Sequence, residues 1–320
     1  AITGVMGCSF FAAISGSSLA TVAAIGSILI PAMIKAGYGE RFTVGLLTCA
    51  GSLGIMIPPS IPMILYGGIM DVSVTRQFMA GVGPGILLGM VLIIYAYVVS
   101  KRHGWRQKGG ISWKRVVETL RHSGWALGMP ILILGGIYSG VFTPTEASAV
   151  CVVYVVLVEM LIHKEVSPKE FFVMVRESAV FSGCLLFILC NSTALSWFLA
   201  SEEIPDKLAT ILFSVIQSKW VFLAVLNVFL IFIGCFLDII TAMIILLPFF
   251  QPLMEQFGLN PIHFGIIFIF NLELGFLTPP MGPNLYVASA VANRSFVEVA
   301  ISVLPFILLM ACCLIAITYI

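Results

Sequence analysis

Residues 271–286 read Asn-Leu-Glu-Leu-Gly-Phe-Leu-Thr-Pro-Pro-Met-Gly-Pro-Asn-Leu-Tyr, with three prolines and two glycines in a segment otherwise apolar enough to enter a bilayer. Pro279, Pro280 and Pro283 lack a backbone N–H and crowd the preceding turn, so a continuous helix cannot run through them. Because lipid offers no hydrogen bonds, such a break is tolerated at membrane depth only where protein or a water-filled cavity surrounds it. The stretch therefore predicts a broken transmembrane helix.

The same break occurs a second time near the start of the chain. Residues 54–62 read Gly-Ile-Met-Ile-Pro-Pro-Ser-Ile-Pro and residues 275–283 read Gly-Phe-Leu-Thr-Pro-Pro-Met-Gly-Pro, a shift of 221 positions. Without a gap, the same shift pairs further residues: Phe11 with Phe232, Pro31 with Pro252, Gly37 with Gly258 and Pro84 with Pro305. Two copies of one structural unit explain this regularity.

The repeat divides the chain into three parts. We expect the first repeat over residues 1–100, a cytoplasmic loop with an interfacial helix over residues 101–122, and the second repeat over residues 123–320. Residues 112–122 and 167–177 mix charged residues with large apolar ones, so each is predicted to form an amphipathic helix on the cytoplasmic interface. The second repeat carries helices upstream of its matched part, so the equivalent helices of the first repeat would precede Ala1. The N-terminal part of the first repeat is therefore expected to be missing.

The composition predicts a membrane protein. Hydrophobic residues make up 60% of the chain, charged residues 10%, and mean hydropathy is +1.11, whereas about a quarter of a soluble domain is charged. Apolar stretches of about 20 residues, the length that spans a bilayer, recur along the chain. We therefore predict an all-α, multi-pass integral membrane protein in contact with the lipid bilayer. The formal net charge of +1, without a dense basic patch, argues against a nucleic-acid partner.

Lysine and arginine residues predict the orientation, because cytoplasmic loops are enriched in them. Seven lie between residues 101 and 121, which makes that side cytoplasmic. Following the spans from there leaves Arg76, Lys207 and Lys219 outside, so 13 of the 16 basic residues lie inside and the C-terminus lies outside. Gly37 is then inside and its partner Gly258 outside, so the repeats are inverted. Inverted repeats with broken helices are typical of secondary transporters.

Residues 1–34 and 219–256 must each enter and leave on one face for this topology to hold. We therefore predict two re-entrant helical hairpins, with tips at Ser15-Gly16-Ser17-Ser18 and near residues 236–241. Each tip begins a half-helix whose first N–H groups are unpaired and whose dipole is positive there, so it attracts a carboxylate.

Hydroxyls and carbonyls near the tips favour a small hard cation such as Na⁺. The hydroxyls belong to Ser15, Ser17, Ser18 and Thr241, and the two breaks expose carbonyls over residues 54–59 and 275–280. The alternative is a pair of proline kinks that only shape packing.

Four polar residues close to the second tip and the second break have two readings each. Asp238 either takes part in the site or caps the following half-helix through Thr241. Glu273 and Asn271 either belong to the site or hold the scaffold, with Glu273 accepting backbone N–H bonds. Asn284 either reaches the cavity or satisfies the broken turn.

Other features argue for loops and against catalysis. Ser73 and Thr75 follow the first broken helix, where a substrate could touch them, although an exposed turn is favoured. No histidine is placed to activate the serines of the first tip, and the sequence has no phosphate-binding loop, so we predict that the chain is not an enzyme. A membrane channel or a non-transporting scaffold subunit is the alternative to a carrier.

Several motifs together resemble one family, the large membrane subunit of tripartite ATP-independent periplasmic (TRAP) transporters. The resemblance covers nearly the whole chain and rests on Ser15-Gly-Ser-Ser18, Ile57-Pro-Pro-Ser-Ile-Pro62, Gly136-Ile-Tyr-Ser-Gly-Val-Phe-Thr-Pro-Thr-Glu146, Gly234-Cys-Phe-Leu-Asp238, Asn271-Leu-Glu-Leu-Gly-Phe-Leu-Thr-Pro-Pro280 and Asn284-Leu-Tyr-Val-Ala288.

The resemblance implies an elevator-type carrier in the bacterial inner membrane with a Na⁺ gradient as its energy source. The outer face, where the basic residues place the C-terminus, is then the periplasmic one. It implies two protein partners, a small membrane subunit that is separate or fused N-terminally and a soluble periplasmic protein that delivers an organic acid. Overall likeness favours sialic acid as the substrate, with a C4-dicarboxylate next.

The resemblance also assigns site residues by position. The first Na⁺ site would comprise Ser15, Ser17, Gly54, Ile57 and Pro59, and the second Asp238, Thr241, Gly275, Thr278 and Pro280. The substrate would lie between the tips, in contact with residues from Ser17, Ser18, Ser73, Asp238, Thr241 and Asn284.

Overall fold

The computed structural model describes residues 1–105, 123–204, 207 and 216–320. The described residues are predominantly helical and none of them lies in a β-strand. Seven helical segments among them are long and apolar enough to span a membrane. The sequence-based prediction of an all-α, multi-pass integral membrane protein is thereby confirmed.

Three continuous helices and a broken one make up the first hundred residues. The order is α1 (Ile2–Ser15), α2 (Ser18–Lys35), α3 (Glu40–Ala50), α4 (Leu53–Met56), α5 (Ile61–Ile69) and α6 (Val74–Arg102), with α3, α4 and α5 forming the broken helix. Three helices of the middle segment, described below, precede the last hundred residues, which contain α10 (Lys219–Gly234), α11 (Ile239–Gln256), α12 (Pro261–Phe276), α13 (Pro283–Ala292) and α14 (Phe296–Tyr319).

Helix bounds in these two stretches agree at the shift of 221 positions. Helix α2 covers 18–35 and α11 covers 239–256, so both ends differ by 221. Helices α3 and α12 begin at 40 and 261, again 221 apart. The bonds Pro58–Pro59 and Pro279–Pro280 are both cis.

The chain forms two compact units, residues 1–107 with 203–320 and residues 108–202. In the first unit α12 is central, since every residue from Phe264 to Phe276 is buried, and it packs against α6, α10, α11 and α14. Helix α13 packs against α2, and α5 packs against α11. The second half of each broken helix therefore packs against the tip helix of the other repeat.

The second unit contains α7 (Gly124–Tyr138), α8 (Pro144–Leu157), which continues as a π-helical turn (Val158–His163), and α9 (Pro168–Ser201). Helices α7 and α8 pack together, and the Tyr154 hydroxyl donates to the carbonyl of Trp125 at 2.7 Å. A capping box of Thr143 and Glu146 begins α8. The predicted second repeat, residues 123–320, is thus distributed over both units.

The interpretation of residues 167–177 as a separate interfacial helix differs from the structure. These residues join 179–200 in the single helix α9. No glycine or proline lies between residues 169 and 182, so nothing in the backbone ends the helix where its composition changes. The other predicted interfacial helix, 112–122, lies outside the described residues, as does most of the loop 101–122.

Candidate functional site

The first tip is the junction of α1 and α2. Gly16 ends α1 at φ 62°, a left-handed conformation that glycine adopts without strain. Ser17 caps α2, and its hydroxyl accepts the N–H of Ala20 at 3.4 Å. The Ser17 carbonyl accepts the hydroxyls of Thr21 at 2.8 Å and Ser15 at 3.3 Å. Oxygen atoms from three residues therefore converge on the start of α2.

The first break packs directly against this tip. The N–H of Ile61 donates to the Gly16 carbonyl at 3.2 Å. A Cβ at Gly16 would lie 2.8 Å from the carbonyl oxygen of Pro59, and a Cβ at Gly54 would lie 2.7 Å from the carbonyl carbon of Ser17. Because both approaches leave no room for a side chain, glycine is required at both positions.

The second tip, between α10 and α11, has the same construction with a different cap. Asp238 lies 221 positions after Ser17, and its carboxylate accepts the N–H of Thr241 at 3.1 Å. The N–H of Met281 donates to the Cys235 carbonyl at 3.2 Å, which joins break and tip. A Cβ at Gly275 would lie 2.5 Å from the Cα of Gly234. Asp238 is exposed and acts as the N-cap of α11, one of the two roles that the sequence predicted for it.

A buried polar cluster lies between the repeats, centred on Glu273. Its two carboxylate oxygens accept the Ser18 hydroxyl at 3.0 Å and the Asn284 amide at 2.8 Å. All three residues are at most 2% exposed. Ser52 also faces this carboxylate, although its hydroxyl lacks the geometry of a hydrogen bond. Glu273 thus receives side-chain donors from both repeats rather than the backbone N–H bonds that the scaffold reading expected.

Asn271 belongs to a separate network that fixes α12 against its neighbours. Its amide donates to the side-chain oxygen of Asn227 and to the Ile267 carbonyl, both at 2.8 Å. The Asn227 amide in turn donates to the Thr318 hydroxyl at 3.3 Å. This network ties α10, α12 and α14 together, which supports a scaffold role for Asn271.

The structure brings most of the sequence-predicted residues together, within two separate groups. In the first, Ser15, Ser17, Gly54 and Pro59 lie at one tip–break junction, with Ile57 in the same break. In the second, Thr278 lies one turn after Gly275, donating its N–H to the Gly275 carbonyl at 2.8 Å and its hydroxyl to the Leu274 carbonyl at 2.8 Å.

Other predicted residues lie elsewhere or have other partners. Ser73 is exposed, where its hydroxyl caps α6 by accepting the N–H of Arg76 at 3.4 Å. Pro280 is exposed at the second break and Thr241 is half-buried at its tip. Ser18 and Asn284 are buried and bonded to Glu273, so in this conformation neither is accessible to a substrate from solvent.

The sequence reasoning missed Ser52 and Thr21. Ser52 lies 221 positions before Glu273, so the repeat itself would have identified it. Thr21 is buried, and its hydroxyl lies 3.1 Å from that of Ser15. Because it follows the tip by one helical turn, the i, i+4 spacing from Ser17 would have indicated it.

Chemically, the two junctions offer oxygen ligands and helix dipoles. The first provides the Ser15 and Thr21 hydroxyls and the Ser17 and Pro59 carbonyls, a neutral set of hard donors that fits Na⁺. The second adds the Asp238 carboxylate. Among the described residues, no group of three or more His, Cys, Asp or Glu side chains could hold a metal ion.

Comparison with known proteins gives a consistent result. The family model described as "Tripartite ATP-independent periplasmic transporter, DctM component" matches residues 1–320. The chain is 41% identical, over 98% of its length, to an isethionate TRAP transporter permease protein of Oleidesulfovibrio alaskensis, of which it covers 49%. It therefore spans about half the length of that relative.

Other relatives carry other substrates in their names. A C4-dicarboxylate TRAP transporter large permease protein of Pseudomonas aeruginosa is 40% identical over the whole chain, which covers 75% of it. A sialic acid TRAP transporter large permease protein of Vibrio cholerae is 32% identical over 94% of the chain, which covers 70% of it.

Proposed function

Because the chain belongs to the DctM component family of tripartite ATP-independent periplasmic transporters, we propose that it forms the large membrane subunit of a Na⁺-coupled carrier for an organic acid. Its relatives are named as transporter permeases rather than as enzymes, and the sequence-based prediction of a non-enzymatic chain agrees with them. The proposed mechanism is of the elevator type, in which the two hairpins and two broken helices carry the substrate across the membrane.

The observation that carries this proposal is the doubled junction of tip and break. Ser17 and Asp238 are the N-caps of α2 and α11 at equivalent positions. Gly54 and Gly275 lack a side chain, which lets the backbone of each break lie in contact with the neighbouring tip. Helix starts with unpaired N–H groups attract a carboxylate, while broken-helix carbonyls suit Na⁺. Because one compact unit contains two such junctions, it offers sites for Na⁺ ions and for the carboxylate of a substrate.

We assign one Na⁺ to each junction. The first would be bound by Ser15, Ser17, Gly54, Ile57 and Pro59, and the second by Asp238, Thr241, Gly275, Thr278 and Pro280. The substrate would contact the tips through Ser17, Asp238 and Thr241 and, after a conformational change that exposes them, Ser18, Asn284 and Ser73. Bound Na⁺ would then lower the cost of holding the anion in a medium of low dielectric constant.

For the substrate we propose a small organic anion. Sequence likeness favoured sialic acid, but the relative named for it is 32% identical, against 41% and 40% for those named for isethionate and C4-dicarboxylates. A C4-dicarboxylate and isethionate therefore stand first in the assay, and sialic acid third.

The proposed assembly has two partners. A small membrane subunit, separate or fused N-terminally, would stabilise the carrier in the bacterial inner membrane, and a soluble periplasmic protein would deliver the substrate. The C-terminus, Ile320, is proposed to face the periplasm, consistent with the distribution of basic residues.

Uptake by proteoliposomes tests this function. The vesicles contain the large subunit with its small subunit, and the labelled acid is offered bound to the binding protein. We expect saturable uptake that requires both an inward Na⁺ gradient and the binding protein. Uptake that needs neither and rises linearly with concentration would refute the carrier and favour a channel, and uptake of none of the three acids would refute the proposed substrate class.

Two substitutions test the tips in the same assay. Ser17→Ala and Asp238→Ala are expected to abolish Na⁺-dependent uptake. Matched controls on the same helices are Ser27→Ala, an exposed hydroxyl bonded within α2, and Glu255→Ala, exposed near the end of α11. Wild-type uptake by both tip variants would refute the tip assignment.

A further inference from the structure

The Glu273 cluster, defined as Glu273, Ser18, Ser52 and Asn284, has features that neither tip–break junction explains. Glu273 is 0% exposed, and its two oxygens each accept a hydrogen bond, from Ser18 and from Asn284. A carboxylate that accepts on both oxygens is arranged as in its ionised form. Among the described residues, no lysine, arginine or histidine forms an ion pair with it.

Two oxygen atoms of the cluster have no hydrogen-bond partner. They are the Ser52 hydroxyl and the side-chain carbonyl of Asn284, and both residues are 0% exposed. The Ser52 hydroxyl faces the Glu273 carboxylate. Because nearly all buried polar atoms in proteins are satisfied, two unsatisfied oxygens beside one buried carboxylate indicate a missing ligand.

The chemistry of the cluster identifies the class of ligand. A carboxyl group in a low-dielectric interior is stable only if it holds a proton or has a positive partner, and the atoms available to a partner are carboxylate, hydroxyl and amide oxygens. Such hard donors select an alkali or alkaline-earth cation. With a single carboxylate, a monovalent ion leaves the cluster neutral, whereas a divalent ion would leave a net positive charge inside the membrane.

We propose that the Glu273 cluster is an additional Na⁺ site, separate from the two tip–break junctions. Its ligands come from both repeats, Ser18 and Ser52 from the first and Glu273 and Asn284 from the second. An ion bound there would fasten the start of α2 to the second break. Its part in transport rests on the proposed Na⁺ coupling, while the binding itself does not.

Binding of radioactive Na⁺ to the purified complex of large and small subunits tests the site. We expect Glu273→Gln, which keeps the shape but removes the charge, to bind one Na⁺ fewer per complex than wild type. Gly54→Ala, which disturbs the first junction, is expected to keep this ion and to bind a different one more weakly. A double variant should therefore lose one ion and bind another more weakly.

A second variant keeps the test decisive if Glu273→Gln does not fold. Ser52→Ala removes a hydroxyl that makes no hydrogen bond. If the cluster is purely structural, the variant should have unchanged or higher thermal stability in choline buffer, and its thermal shift upon addition of Na⁺ should equal that of wild type. The proposal predicts the same stability in choline but a rise of about tenfold or more in the Na⁺ concentration that half-saturates the thermal shift, as for a lost metal contact. Thr48→Val, a buried hydroxyl bonded within α3 one turn earlier, is the matched control and should leave that concentration unchanged.

The outcomes separate this site from the proposed function. Wild-type Na⁺ stoichiometry in Glu273→Gln, or a wild-type Na⁺ response in Ser52→Ala, would overturn the additional site. If the stoichiometry is unchanged while proton release upon Na⁺ binding disappears, Glu273 carries a proton and the proposal is equally overturned. If Glu273→Gln loses its ion but wild-type uptake needs no Na⁺ gradient, the site stands and the coupled-carrier function fails.

Discussion

Gly54→Ala tests the tip–break junction with the smallest change that the chain allows. The added Cβ would lie 2.7 Å from both the Ser17 carbonyl carbon and the Thr21 hydroxyl oxygen, 0.7 Å inside the 3.4 Å at which ordinary contact begins. The tip must therefore move away from the break by several tenths of an ångström. Overpacking of this kind costs about 1–3 kcal/mol of folding stability.

Besides this loss of folding stability, Gly54→Ala is expected to weaken Na⁺ binding at the first junction specifically. Metal–ligand distances tolerate only about 0.2 Å of variation, so a displaced Ser17 carbonyl no longer shares an ion with the Pro59 carbonyl. We expect the Na⁺ concentration for half-maximal uptake to rise about tenfold or more, equivalent to about 1.4 kcal/mol or more of binding free energy. Thermal shift in Na⁺ against choline measures the same affinity without transport.

Two glycine controls separate the junction from general packing. Gly68→Ala adds a methyl group to α5 with nothing within 4 Å, and Gly45→Ala forces a Cβ against the backbone of Ser302 between α3 and α14. The first should behave as wild type, and the second should lose stability while retaining its Na⁺ half-saturation. The reasoning is refuted if Gly54→Ala keeps the wild-type value, or if Gly45→Ala shifts it equally.

Three further predictions concern single contacts. Asp238→Asn should keep the α11 cap and the wild-type melting temperature but lose Na⁺-driven uptake. Asp238→Ala should lose uptake and, in addition, about 1 kcal/mol of folding stability because the cap is removed. Equal uptake by wild type and the Asn variant would contradict a role for the charge. Asn271→Ala should destabilise the protein by about 1–3 kcal/mol because it leaves the Asn227 side-chain oxygen buried without its donor, and a melting temperature equal to wild type would contradict the network. Arg294→Ala removes a half-exposed ion pair with Glu40. Denaturation at low and high salt should show that the free energy of unfolding falls by at most about 1 kcal/mol, and by less at high salt. A larger loss that does not depend on salt would contradict a surface ion pair.

The sequence predicted the two breaks, and a possible cap at Asp238, because these are local properties. Proline removes a hydrogen-bond donor wherever it stands, so the ends of α4 and α12 were readable from residues 57–62 and 277–283. For Asp238 a cap was one of the two roles predicted, because a short polar side chain before an apolar helix can accept its first N–H groups, and the same rule applies to Ser17, whose cap was not predicted.

Contacts between distant segments could not be derived in the same way. The bond between Ser18 and Glu273 joins residues 255 positions apart, and it brings α2 and α12 together in a way that no local pattern encodes. The composition of α9 led to a wrong prediction, because its charged first part and apolar second part suggested two separate elements. The helix continues through both parts because no residue between them breaks it.

The two repeats share a backbone plan but differ in charge at their equivalent positions. Ser17 and Ser52 of the first repeat correspond to Asp238 and Glu273 of the second, each pair 221 positions apart. In the proposed mechanism, Na⁺ at the first junction has only neutral ligands, so it leaves a net positive charge, whereas Na⁺ near Asp238 or Glu273 is neutralised by its carboxylate. An anionic substrate is therefore attracted toward the first junction, where the α2 dipole adds to the same field. The asymmetry of charge, superimposed on a symmetric scaffold, accordingly predicts that Ser17→Asp weakens binding of the anion while leaving Na⁺ bound at all sites.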